Sequence, residues 1–287
     1  MSLITQIRQA LTTLNPAEVR HMAERRLAIG LNATQASSYQ AMADWLLPPG
    51  LSVGKRAEAS KMIFLAGEDD RPSTLDLEIY AEDAIAPSDA IIFYRDNPRR
   101  TLDLVLERHE DLGLSLARLF PPFREAVSSR LIQKVSLENA SFSLATALPN
   151  IAPILGLGWA VGEFASDSVV LTMNQVRLAF LLGAAHDRPV GYGEQRTEIG
   201  SIIAGAFGWR SLARQLISKL PLGGGIVPKA AISYAGTFVV GRGLERFYRF
   251  GYQYTRSERR AAYEEAFERG KTLVGGILER VRAKKSA

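Results

Sequence analysis

The sequence predicts an α/β domain followed by a larger all-α domain. The first, residues 1–120, holds a small, mostly parallel sheet with flanking helices. The second, residues 121–287, is apolar, glycine-rich and helical, with a basic amphipathic helix at its C-terminal end. Three observations predict this division. Runs of strand character are confined to residues 27–96, and beyond residue 97 apolar residues recur only at helical period. Charge is also segregated. Residues 66–111 carry 13 acidic and 5 basic side chains, whereas residues 242–287 carry 12 basic and 6 acidic. Two surfaces of opposite sign imply two kinds of neighbour.

The elements follow in order. Leu3, Ile4, Ile7, Leu11 and Leu14 form one helical stripe, which Asn15 and Pro16 interrupt. Pro16 suits the first turn of a second helix, with Asn15 as its cap. LAIGLNA (27–33), KMIFLA (61–66), LDLEIYA (75–81) and DAIIFYRD (89–96) read as strands. A helical pattern, TQASSYQAMADWLL, follows the first. RRTLDLVLERHEDLGLSLARLF is helical and PPF breaks it; REAVSSRLIQKVSLENASFSLATAL resumes the period.

The composition excludes several chemistries. The 287 residues are 47% hydrophobic and 23% charged, so the chain folds. It has no cysteine, hence no disulfide, thiolate ligand or cysteine nucleophile. His21, His109 and His186 lie far apart and lack the spacing of a helix-borne zinc site. The N-terminus has no apolar core of signal-peptide length, and no secretion is expected.

LAIGLNATQASSYQAM has the strand–loop–helix layout of a nucleotide-binding unit, but not its residues. A phosphate loop needs glycines to bring backbone N–H groups onto the phosphates and a lysine to reach the terminal ones. Gly30 is the only glycine there, and no lysine precedes Lys55. Ser37 and Ser38 stand at a helix N-terminus, which attracts anions generally. GLSVGKR (50–56) does not follow a strand and reads as coincidence. No G-x-S-x-G, H-E-x-x-H or G-x-G-x-x-G at a strand–helix junction occurs. Glu68, Asp69 and Asp70, and Glu82 and Asp83, read as solvated carboxylates at strand ends, with a divalent-cation site as the sharper alternative.

The rear half raises the question of a membrane. Asn139 to Gly162 is uncharged, but Pro149 and Pro153 divide it into two buried helix ends. The next helix, about 157–185, places Glu163, Asp167, Asn174 and Arg177 within an arc of about 80°. This stripe reads as a polar network between packed helices, with a metal or proton site, or a contact surface, as the sharper alternative; a carboxylate pair without a histidine or a pocket does not by itself signal catalysis. LPLGGGIVPKAAISYAGTFVVG (220–241) opens with a proline–glycine turn. The apolar run from Ala230 to Val240 is shorter than the ~20 residues a bilayer span requires. Ser233, Thr237 and Gly241 recur every fourth residue, as do Ala231 and Ala235, and such small residues let helices approach closely. The last helix, about 256–285, has one apolar face and a basic end, suited either to its own domain or to an anionic membrane surface.

FREAVSSRLIQKVSLENASFSLATALPNIAP, LTMNQVRLAFLLGAA, IGSIIAGAFGWRSLARQLISKLPLGGG and AAISYAGTFVVGRGLERFY together resemble the helical domain of unknown function behind bacterial Era-like GTPase domains, as in YcjF-type proteins. A weaker likeness is to the EcsC family. The resemblance covers about residues 122–252 and rests on order and spacing. It implies a front half shrunken from a GTPase domain, with LAIGLNA, LDLEIYAED and SDAIIFYRD in the places of its first, third and fourth strands. The third lacks D-x-x-G, and no N-K-x-D is present. On this view the nucleotide site has been lost.

The expected function is therefore a non-enzymatic interaction or scaffold protein, without cofactor or metal. Its expected place is cytoplasmic, peripheral at the inner membrane, and its partner a protein or an anionic membrane surface. No nucleic acid is expected, although Tyr252 and Tyr254 near the basic end leave that a minor alternative. The main alternative is a residual nucleotide- or phosphate-binding NTPase-like protein.

Overall fold

The computed structural model describes residues 3–67, 71–148, 167–205 and 225–286. It has a four-stranded parallel sheet with helices and a larger helical region. By contacts the chain forms two compact units. One comprises Ala17–Ser129 and Gly183–Arg188, the other Met1–Pro16, Arg130–Leu182 and Pro189–Ala287. The sequence-based division at 120/121 is simpler: in the structure the N-terminal helix groups with the helical unit, and a six-residue segment returns to the α/β unit.

In the α/β unit the strands are β1 (Ile29–Asn32), β2 (Ile63–Leu65), β3 (Leu77–Ala81) and β4 (Ile91–Phe93). Their order is β2-β1-β3-β4, all parallel, with Gly30 opposite both Phe64 and Glu78. Alternation separates the two faces of β3 and β4. Leu77, Ile79, Ala81, Ile91 and Phe93 are buried, while Glu78, Tyr80 and Ile92 are half-buried.

Met42 and Leu46 on α3 (Ala36–Leu46) are fully buried, and the Trp45 ring packs at a tilt against Phe93 and Phe123, with centroids 5.3 Å and 5.6 Å away. Besides α3 the unit includes α2 (Pro16–Ala23), α4 (Val53–Ser60), α5 (Pro98–Arg108) and α6 (Gly113–Leu119). Thr101 ties α5 to β4, donating to the Ile92 carbonyl and accepting from the Tyr94 N–H.

From β2 to β3 the chain must pass β1. The described part of that connection has no helix and packs directly on the strand. A Cβ on Gly30 would lie 2.6 Å from Leu75 Cδ1 and 2.9 Å from Arg71 Nη2. Gly30 therefore belongs to the strand interior, where the missing side chain makes room for the crossing segment.

The helical unit contains α1 (Leu3–Leu11), α7 (Arg124–Ala147, which starts in the other unit), α8 (Asp167–Ala185), α9 (residues 196–205), α10 (Ile226–Phe250) and α11 (Arg256–Ser286). α10 begins earlier than expected, with Pro228 inside its first turn, where no N–H is needed. It ends at Gly251 in the left-handed region, φ 80°.

The two small-residue stripes of α10 have separate partners. Ser233 pairs with Ser143 at 2.6 Å, Thr237 accepts from Asn139 at 2.7 Å, and Gly241 lies against Ile132, so one stripe meets α7. Ala231 and Ala235 cluster with Tyr263, Ala266 and Phe267 of α11. There Gly270 is the close point, since its Cβ would stand 3.0 Å from the Tyr234 ring and 3.1 Å from the Ala231 carbonyl.

Candidate functional site

In a parallel sheet of this order, the connections that follow the neighbouring strands β1 and β3 run in opposite directions. Open α/β folds bind ligands at that switch point, outside the carboxyl ends of the strands. Here it lies between β1 and β3, beside the start of α3. Thr34 donates its hydroxyl to the Asp83 carbonyl at 2.8 Å, and the Gln35 N–H donates to the Asp83 carboxylate at 2.9 Å. Asp83 thus places negative charge where the entrance of α3 attracts an anion. Ser37 donates to the Gln35 side chain at 3.4 Å.

On the adjoining sheet face, Arg71 pairs with Glu78 and donates to Asn32 Oδ1 at 3.2 Å. Tyr80 donates to the other Glu78 oxygen at 3.2 Å. Burial first, then the Glu78 charge, raise the Tyr80 hydroxyl above its usual range. Asn32 Nδ2 and Asp83 Oδ1 are enclosed and lack a hydrogen-bond partner among the described residues. Lys55, in the other candidate loop, lies within α4 and pairs with Glu58 and with Asp187.

The predicted stripe on α8 is only partly visible. Glu163 lies outside the described residues, and Asp167 opens the helix. Asn174 donates to Asn139 Oδ1 at 2.6 Å, and Arg177 pairs with Glu138. Both partners come from α7. Asn139 is the hub, because it also reaches Thr237 of α10, to which Gln175 donates at 3.4 Å.

Two further constellations escaped the sequence reading. Ser128 Oγ and His186 Nε2 stand 3.2 Å apart, a pairing that resembles a nucleophile and its base. Ser128 is fully buried and His186 nearly so, which denies a substrate access. The second surrounds Asp187. α8 ends in a paired closure, with Asp187 N–H on the Ala184 carbonyl and Arg188 N–H on the Gly183 carbonyl, and Asp187 at φ 55°. Asp187 pairs with Lys55 at 2.7 Å and Arg118 at 3.4 Å, and both cations also hold Glu58. Burial alone would raise Glu58, but hydrogen bonds from Lys55 and Arg118 outweigh it and hold the carboxyl below its ordinary range.

Among the described residues no three His, Asp or Glu side chains are grouped to hold a metal ion. Glu68, Asp69 and Asp70 lie outside them. One described helix segment, Ser168–Ala185, is long and apolar enough to cross a membrane, and 78% of it is buried inside the protein. No protein-family model, no curated protein and no solved structure matches the chain.

Proposed function

We propose that the chain is a non-enzymatic interaction protein, its α/β unit a scaffold and its helical unit the binding element. One observation carries this reading. At the switch point, the entrance to α3 is held by the Asp83 carboxylate through the Gln35 N–H. An incoming phosphate would meet a like charge there, with no lysine of a phosphate loop to offset it.

The binding surface in this proposal is formed by the exposed basic residues near the two ends of α11. Its apolar side is used within the unit, where Tyr263, Phe267, Val274 and Leu278 are buried. Arg256, Arg259, Arg280 and Arg282 are exposed. The partner is an acidic protein surface or the anionic cytoplasmic face of a membrane, held by charge and not by insertion.

Two experiments test the proposal. Magnesium nucleotide at millimolar concentration leaves the melting temperature unchanged; a saturable rise would return the alternative of a nucleotide-binding protein. Sedimentation with vesicles containing phosphatidylserine recovers the protein at low salt and releases it at high salt. A membrane fraction resistant to salt and carbonate would refute the charge-held surface. Failure to bind any vesicle, alongside salt-sensitive capture of a cytoplasmic partner, would assign the surface to protein.

A further inference from the structure

The helical unit holds a half-open cavity of about 360 Å³ between α8, α9, α10, α11 and the turn joining the last two. Its walls are mostly carbon. Val239, Leu244, Ile202 and Tyr263 are buried around it, and Gln253 and Arg259 are exposed at its mouth.

The wall contributed by α10 explains why there is space. Gly236, Val239, Val240 and Gly243 all line it, and positions i, i+3, i+4 and i+7 share one helix face. Each helix-interior glycine costs about 1 kcal/mol relative to alanine. Gly241 and Gly270 are accounted for by close helix contacts. Gly243 is not: the nearest atom to a Cβ there is Tyr254 Cδ2, at 3.8 Å. Its missing side chain opens the cavity and serves no helix contact.

The mouth is also built. Thr255 and Glu258 cap α11 reciprocally: the Thr255 N–H donates to Glu258 at 2.8 Å and the Glu258 N–H to Thr255 Oγ1 at 3.3 Å. Arg246 pairs with Glu258 and stacks over the rings of Tyr252 and Tyr254, fixing the turn that carries Gln253. Arg259 makes no ion pair among the described residues and sits in the first turn of α11, the end of a helix dipole that disfavours cations. An unpaired guanidinium at the mouth of an apolar cavity is complementary to a ligand with an apolar body and an anionic head.

We propose that this cavity binds a medium-chain carboxylate, its alkyl chain along the Gly236–Gly243 face and its carboxylate on Arg259. The volume sets the length. At ~30 Å³ per water-sized group, it holds about a dozen non-hydrogen atoms, the size of decanoate. The site goes beyond the surface-binding role of α11 and shares only Arg259 with it; loss of decanoate binding in Gly243→Leu, which leaves the arginines in place, tests the cavity separately.

The test is calorimetric titration of the full chain with decanoate below its micelle-forming concentration, with decanol as the neutral control. Saturable binding of one decanoate per chain is expected, weakened about tenfold or more for decanol and for Arg259→Gln. Gly243→Leu fills the space without a backbone clash, so it should abolish binding while the melting temperature holds or rises. No saturable binding by the unaltered chain would overturn the proposal, as would binding that Gly243→Leu retains. Equal affinity for decanoate and decanol, unchanged in Arg259→Gln, would overturn the carboxylate assignment.

Discussion

Gly241 and Gly243 stand two residues apart on α10 and answer to different demands. A Cβ at 241 would lie 2.8 Å from Ile132 and 3.0 Å from Leu178, whereas one at 243 meets nothing closer than 3.8 Å. Gly241→Ala should destabilise the protein by about 1–3 kcal/mol through overpacking. Gly243→Ala should stabilise it by up to about 1 kcal/mol through helix propensity. Urea unfolding of the pair measures both signs in one background. Glu58 offers a titration at the same scale. Its carboxyl titrates below its ordinary value of 4.5 when folded. The resulting stability is complete above that pH and is lost as pH falls through the depressed folded value. Below pH 4.5 the unaltered protein should therefore lose stability more steeply than Glu58→Gln, as melting temperatures across an acid series would show. At 36% exposure the side chain is partly screened, so the difference is modest. Beyond Lys55, which stands three residues away on α4, the Glu58 partnership was illegible beforehand because Arg118 and Asp187 are brought to it only by the fold.

Among the elements, the strands were legible and their connections were not. LAIGLNA, KMIFLA, LDLEIYA and DAIIFYRD each contain a strand, because short runs of β-branched and apolar residues bounded by polar ones suit little else. Nothing local announced that the segment after β2 would cross β1 against Gly30. Nor did the residues of 82–83 declare that one would serve the start of α3, since Asp83 and Gln35 are 48 positions apart. Asp83→Ala should cost about 1 kcal/mol by leaving that N–H without its charged acceptor. Chemical denaturation measures it, and no loss would show that water replaces the carboxylate at no cost. The stripe on α8 shows the limit of periodicity. A spacing of about 100° per residue put Asn174 and Arg177 on one arc, but their described partners, Asn139 and Glu138, stand on α7. Helical period tells which residues share a face and is silent on what that face meets.

For the whole molecule, the change from α/β to helical character was readable because the strand pattern stops at residue 97. The path of the chain was not. α1 shows an ordinary amphipathic stripe, and its allegiance rests on long-range contacts such as Tyr192, whose hydroxyl donates to the Leu14 carbonyl at 3.2 Å and to that of Leu11. A fragment ending at residue 120 should therefore be less stable than the same unit within the full chain. It lacks Asp187, and with it the second carboxylate for Lys55 and Arg118. Adding residues 121–188 should recover part of the loss, measured as the urea midpoint of each fragment.

The interleaved path also has a meaning in time. A nascent chain leaves the ribosome from its first residue onward, and domains tend to fold as they emerge. Here α1 is made long before Tyr192, whose hydroxyl reaches the Leu11 carbonyl 181 residues earlier in the chain. The α/β unit, whose strands are complete by Phe93, cannot close its Asp187 clasp until that residue follows. Assembly on the ribosome thus has one late moment, around residues 187–192, when the α/β unit gains its last segment and α1 gains Tyr192, with α10 and α11 still to come. Pausing translation just before or just after it should trap two very different nascent chains.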